Sequence, residues 1–167
     1  VLVLVPLLLL ACGTLGEVLT HVGEEAILQQ KGSQLQVVNR AQLARLKALG
    51  GFDVIDTSEA AGPALATDAA RAARVAWLNA MLRPVTDELA AMFPGVGLGY
   101  YHRELDAIVT YGPSGEFADK VGLAIAADHP GRAVMETGQP AVQSGQLVRG
   151  PILNAMMPIE HSGRVVG

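Results

Sequence analysis

Residues 1–16 carry no charge and hardly a polar group, and they run directly into a long, polar, helix-patterned stretch that begins near Glu17. A helix that crosses a bilayer needs about 20 mostly apolar residues. Counting on through Val18, Leu19 and Val22 nearly reaches that length. The run therefore reads as the outer part of a transmembrane helix, with residues 1–23 as its remnant and juxtamembrane start, and everything after it displayed at a membrane. Other readings stay open. A secretory signal peptide has a basic flank and a shorter apolar core, and such a flank would precede Val1. Leu9-Leu10-Ala11-Cys12-Gly13 fits a lipoprotein cleavage site with Cys12 as the lipidated residue, and a buried soluble helix is the remaining alternative.

Residues 24–167 suit one domain with a single modest core. The net charge is −4, and the basic residues are scattered rather than clustered. No nucleic-acid partner is expected from such a pattern. Cys12 is the only cysteine, which excludes a disulfide framework and a thiolate metal site.

Over residues 24–49, Ile27, Leu28, Leu35, Val38, Leu43, Leu46 and Leu49 fall on one broad helical face opposite Gln, Lys and Arg, and Gly50-Gly51 ends the helix. Such a face can dimerise or support a sheet. A second helix is expected over 67–92, with Val75, Leu78, Leu82, Val85, Leu89 and Met92 forming a narrow seam. Pro84 lacks a backbone donor and clashes with the preceding turn, so a kink or restart is expected there, with Asp87 and Glu88 at a new N-terminus. The period then changes from helical to extended. Strands are expected at 96–103 and 105–111 with a tight turn at Glu104, at 140–144, at 152–160, and from Arg164 to the end. Residues 121–127 read as a short strand or an apolar connection, and a short helix over 132–137 stops at Gly138. Because the last strand has no visible end, the chain is expected to be part of a longer protein.

This order of elements resembles that of extracytoplasmic PAS-like sensor modules, the single Cache domains of bacterial histidine kinases and chemoreceptors. Gly131-Arg132-Ala133-Val134-Met135-Glu136-Thr137-Gly138-Gln139-Pro140 is similar to their helix-to-third-strand passage. Ile152-Leu153-Asn154-Ala155-Met156-Met157-Pro158-Ile159-Glu160-His161-Ser162-Gly163-Arg164-Val165-Val166-Gly167 looks like their final hairpin. The resemblance spans residues 24–167. It implies an α+β, PAS-like fold with a five-stranded antiparallel sheet, long N-terminal helices packed on one face, and a small-molecule pocket between the sheet and the connection crossing it. It also implies the input domain of a membrane-bound two-component histidine kinase, with the sensor part extracytoplasmic and the catalytic region elsewhere. No phosphoacceptor, nucleotide-binding, hydrolase or dinucleotide motif occurs in these residues, so no enzyme activity is expected of them.

Several residues are candidates for ligand contact. Arg103, Arg132 and Arg149 offer guanidinium forks that match a carboxylate, although solvated surface arginines read the same way. Tyr100, Tyr101 and Tyr111 combine an apolar ring with a hydroxyl, as pocket or core residues. Asn154 is a polar amide within an apolar strand, where it must bond a ligand or tie down a loop. Gly97 and Gly99 leave space on their strand face for a ligand or for close helix packing. His102 and His129 lie near Asp106 and Asp128 in sequence, but no closely spaced ligand pair accompanies them, so no metal is expected. No cofactor is expected either. The ligand set adopted is Tyr101, Arg103, Tyr111, His129, Arg132, Arg149 and Asn154, with Met156 and Leu98 on apolar parts. A small organic anion is the expected ligand and a homodimer the expected assembly. The competing expectations are a ligand-free dimerisation module and a lipid-anchored binding protein.

Overall fold

The computed structural model describes residues 4–48, 67–147 and 150–167, with side chains described at 23–48, 67–145 and 151–167. Helix α1 runs unbroken over Leu4–Ala48. Along its described part, Val38, Gln42 and Leu46 are buried at successive intervals of four residues, whereas Ile27 and Leu28 of the expected stripe are exposed. The difference is one of reach: among the described residues, the rest of the fold buries apolar side chains of α1 toward its C-terminal end. Gly32 marks one close approach, since a Cβ there would sit 2.9 Å from Val142 Cγ1. Leu49 lies outside the described residues. So does the question of what residues 1–22 pack against; among the described residues no helix is long and apolar enough to cross a membrane.

Helix α2, Asp68–Met92, starts at Thr67, whose hydroxyl accepts from the Ala70 amide. The seam is buried at Val75, Leu78, Leu82, Val85 and Leu89, and Met92 is exposed. The helix continues through Pro84 without a restart. Pro84 is itself exposed, so water can satisfy the carbonyl that its missing N–H leaves free. Asp87 does not open a new helix; its carboxylate accepts from Ser114 N and Ser114 Oγ at 2.6 and 2.7 Å. It thereby tethers the short helix α3, Ser114–Phe117, to α2.

Strands β1 (Leu98–His102) and β2 (Ala107–Gly112) pair antiparallel, with a bulge between Tyr100 and Tyr101. Leu98, Tyr100 and His102 point into the core, as alternation requires. The β2 face meets α2 through a buried hydroxyl pair, Thr86 Oγ1 to Thr110 Oγ1, at 3.1 Å. Gly112 is required at that contact, because a Cβ would lie 2.6 Å from the Thr86 carbonyl oxygen. Gly97 and Gly99 are close-packed on the side where a Cβ would lie, and Gly99 also lines the cavity described below. The Tyr111 ring of the neighbouring strand covers both, 2.8 and 2.9 Å from their Cβ positions, and stacks on Phe117 at 4.6 Å.

After a 3-10 turn at Ala118–Lys120, the 121–127 segment lies beside β2. Ile108 N donates to Leu123 O and Ile108 O accepts from Gly122 N. Helix α4, Pro130–Thr137, is capped by His129 and stopped by Gly138 at φ 67°. Strands β3 (Ala141–Leu147) and β4 (Gly150–Met156) form a second antiparallel pair, and β5 (Glu160–His161) and β6 (Arg164–Val165) a third. Thus the ladders among the described residues are three two-stranded ones. Arg103 N donates to Val166 O at 2.9 Å, setting the end of the chain beside β1. The core follows from these contacts: Leu46, Leu78, Leu82, Tyr100, Val109, Ile159 and Val166 form its main cluster, and Val38, Val85, Leu89 and Leu98 a smaller one.

Candidate functional site

A cavity of about 150 Å³ lies where α1, β1, the end of β4 and α4 meet. Its wall is mostly apolar: Leu43 from α1, Val134 and Met135 from α4, Met156 and Met157 after β4, and Ile125 from the connection. Five polar side chains interrupt it, namely Asn39, Gln42, Tyr100, Tyr101 and His129. An apolar cavity with a few polar groups is the usual composition of a small-molecule site.

Each polar group is held differently. Asn39 Nδ2 donates to the Ala155 carbonyl at 2.8 Å, joining α1 to β4. The Gln42 main-chain carbonyl accepts from the buried Tyr100 hydroxyl at 3.3 Å; burial pushes that phenol well above its ordinary pKa, against a smaller lowering by the nearby Gln42 side chain. The Gln42 side chain is only 4 % exposed, and its Nε2 has no hydrogen-bond partner. His129 Nδ1 accepts from Gly131 N at 3.0 Å, so the proton of the neutral ring sits on Nε2. Burial, followed by the positive charge of Arg132, lowers the His129 pKa against the opposing pull of Asp128. The ring is thus kept neutral.

Tyr101 donates its hydroxyl proton to Asp106 Oδ1. Its pKa is pushed up to about 12 by burial and then by Asp106. The Asp106 carboxyl is held down chiefly by that same bond, which outweighs the opposing effect of burial, and further by Arg132. Arg132 is engaged within the protein through all three nitrogens: Nε and Nη2 donate to the Ala126 and Ile125 carbonyls at 3.0 and 2.7 Å, and Nη1 reaches Asp106 at 3.1 Å. It fastens the connection to α4 and the β1–β2 turn.

Of the seven residues expected to contact a ligand, Tyr101 and His129 line this cavity. Arg103, Arg132, Tyr111 and Asn154 do not. Arg103 Nη1 donates to the Met135 carbonyl at 3.2 Å, Tyr111 packs on Phe117, and Asn154 sits opposite Gln143 in the β3–β4 ladder. Arg149 lies outside the described residues. Met156 lines the cavity and Leu98 belongs to the smaller core cluster. The residues that sequence reasoning missed are Asn39 and Gln42. Their signal was present as two amides beside Val38 and Leu46 on the face of α1 that packs inward.

A larger space of about 540 Å³ lies between α1 and the β3–β4 pair, beside Gly32, Val142 and Leu153. It is an open groove rather than an enclosure. Among the described residues no three His, Cys, Asp or Glu side chains come together as metal ligands. His102 is buried and its Nδ1 accepts from Leu105 N at 3.2 Å.

The AtoS N-terminal domain family matches the chain across residues 1–167. The chain belongs to that family. It is 44 % identical over 155 residues to the signal transduction histidine-protein kinase AtoS of Escherichia coli (strain K12), which covers 92 % of the chain and 23 % of that relative. The chain therefore spans about a quarter of the length of the curated relative it matches. No solved structure matches it.

Proposed function

We propose that residues 24–167 form the extracytoplasmic, small-molecule-sensing input domain of a two-component histidine kinase, attached to the membrane through residues 1–23. The observation that carries this reading is the family relationship: the chain aligns along nearly its whole length with less than a quarter of a histidine kinase. A segment without catalytic motifs in such a protein is suited to receive the signal. The cavity supplies the place to receive it, because α1, which continues from the apolar run, forms one of its walls.

A cavity of about 150 Å³ accommodates a molecule on the order of benzene in size. The apolar wall suits a compact hydrocarbon body, and the Gln42 amide and the His129 Nε2–H suit an oxygen acceptor. The small organic anion expected from the arginines remains the first class to test, its carboxylate being such an acceptor. Two further proposals concern architecture. The three ladders are parts of one five-stranded PAS-like sheet in the order β2, β1, β6, β5 continued into β4, then β3. Pro158, which lacks a donor, interrupts the fourth strand, and the Arg103 to Val166 bond supports the β1–β6 neighbourhood. The domain is a homodimer through α1, where Ile27, Leu28 and Val37 are 53, 43 and 56 % exposed.

The test is a chimera in which residues 1–167 replace the corresponding segment of the Escherichia coli relative. Autophosphorylation in membrane vesicles is then followed against a panel of carboxylates, amino acids and neutral carbonyl compounds of six to eight heavy atoms. A dose-dependent change with at least one class is expected. A chimera that phosphorylates at one constant rate throughout, while dimeric by cross-linking, would favour the ligand-free dimerisation module instead.

A further inference from the structure

Among the described residues that line the cavity, Gln42 Nε2 is the buried side-chain atom that makes no hydrogen bond of normal geometry. Its side chain is 4 % exposed, and Nε2 meets no acceptor. Burying an amide N–H without a partner is unfavourable by more than a typical hydrogen bond contributes, and native proteins nearly always satisfy such groups. The neighbours show how the rest of this wall avoids the penalty. Asn39, one turn earlier on α1, spends its amide on the Ala155 carbonyl, and the Tyr100 hydroxyl is occupied by the Gln42 carbonyl itself. An apolar residue such as the Leu43 beside it would fill the position with no such cost.

We infer that Gln42 Nε2 is the ligand's hydrogen-bond donor: the bound molecule is compact, of about six heavy atoms, and presents a carbonyl-type oxygen to Gln42 while its hydrocarbon body lies against Val134, Met135 and Met157. Among the described residues no Lys or Arg lines the cavity, so the recognition inferred here runs through the oxygen's lone pairs and does not require a negative charge. The contact has a consequence for signalling. Gln42 stands on α1, whereas Val134 and Met135 stand on α4, so a ligand held by all three bridges the two helices. This inference rests on the sensor reading above for its biological meaning and on the cavity alone for its chemistry.

Three probes separate the possibilities in the full 167-residue chain in detergent micelles. Cyclopentanone carries the oxygen without charge, pivalate carries it with charge, and methylenecyclopentane has the shape of cyclopentanone without the oxygen. The side-chain amide resonances of a glutamine-labelled sample, with Gln42 assigned by its loss in Gln42→Leu, report occupancy directly. At least one of the two oxygen-bearing probes is expected to shift the Gln42 amide protons saturably and to bind about tenfold more tightly than methylenecyclopentane. In Gln42→Leu that preference is expected to fall to within about twofold, while the melting temperature of the variant without probe stays at or above that of the parent. Equal binding of all three probes to the parent chain would keep the cavity as a ligand site and remove Gln42 from recognition. An oxygen preference that survives in Gln42→Leu would do the same. If no probe moves the Gln42 resonances, the amide is served by water and both the inference and the cavity's role as ligand site fall, leaving the kinase relationship to the chimera. Cyclopentanone against pivalate then reports separately on the expected anion.

Discussion

The two sides of the β1 strand are packed to different standards. Toward α2, the buried polar groups at the contact with β2 are answered: Thr86 and Thr110 share a hydrogen bond, Asp87 holds Ser114, and Gly112 lets the backbone of β2 close against the helix. Toward α1 and α4, a cavity remains and an amide is left without an acceptor. Both regions draw on similar residue types, so composition does not account for the contrast. A protein interior that closes fully in one place and stays open a strand away has placed its stability and its capacity to bind on different elements.

That division can be broken at several points. The largest effect is expected at Leu78, fully buried in the main cluster. Leu78→Ala should destabilise the domain by about 3 kcal/mol through lost transfer energy and the void left behind, seen as a lower urea midpoint. Leu43→Ala, at the already open wall, should cost about half as much. Near-equal losses would mean that the two sides are equally packed. Thr110→Val removes one partner of the buried hydroxyl pair and should cost about 1–2 kcal/mol, smaller because Thr86 Oγ1 also reaches the Arg83 carbonyl at 3.0 Å. Gln42→Leu should move the other way, gaining about 1 kcal/mol in thermal or urea unfolding without ligand. A loss of that size would show that the amide has a structural partner.

A smaller effect is expected from pH. His129 has its folded pKa lowered from 6.5, so the unfolded chain binds more protons in the acid range. The stability that this group contributes is present above about pH 6.5 and declines as pH falls through the lowered folded value. Comparing urea midpoints at pH 7.5 and 5.5 checks this. His129→Asn, which keeps a capping acceptor, should flatten the dependence. Smallest of all is Arg45→Ala. Its bond to Glu88, at 3.2 Å, joins side chains 48 and 54 % exposed, and the loss should be at most about 0.5 kcal/mol and vanish in high salt.

How legible these regions were in the sequence follows the same division. The α2 seam was readable because Val75, Leu78, Leu82, Val85 and Leu89 are local, and helical period alone assigns them to one face. Gly138 was readable for the same reason, since a helix stop is written within a few residues. The cavity was not. It depends on contacts between Gln42 and Tyr100, 58 positions apart, and between Asn39 and Ala155, 116 apart. Arg132 shows the converse limit. A guanidinium fork reads as an anion binder until the fold brings two carbonyls and Asp106 to it, and that satisfaction depends on the path of a connection no periodicity describes. Pro84 failed as a helix breaker because the rule concerns a backbone donor, and the penalty depends on whether water reaches the carbonyl left behind.

Helix α1 has 45 residues without interruption, which at 1.5 Å per residue is about 68 Å. Each residue turns the helix by about 100°, so the direction in which Gln42 faces and the direction presented by the apolar run are set by a residue count alone. Inserting one residue after Gly23 would swing the run by about 100° relative to the cavity wall, and inserting seven would return it to within about 20°. The spacing between these two parts of the chain is therefore a matter of angular phase as well as distance, and an insertion that touches no contact in the domain would still change how the two parts face one another.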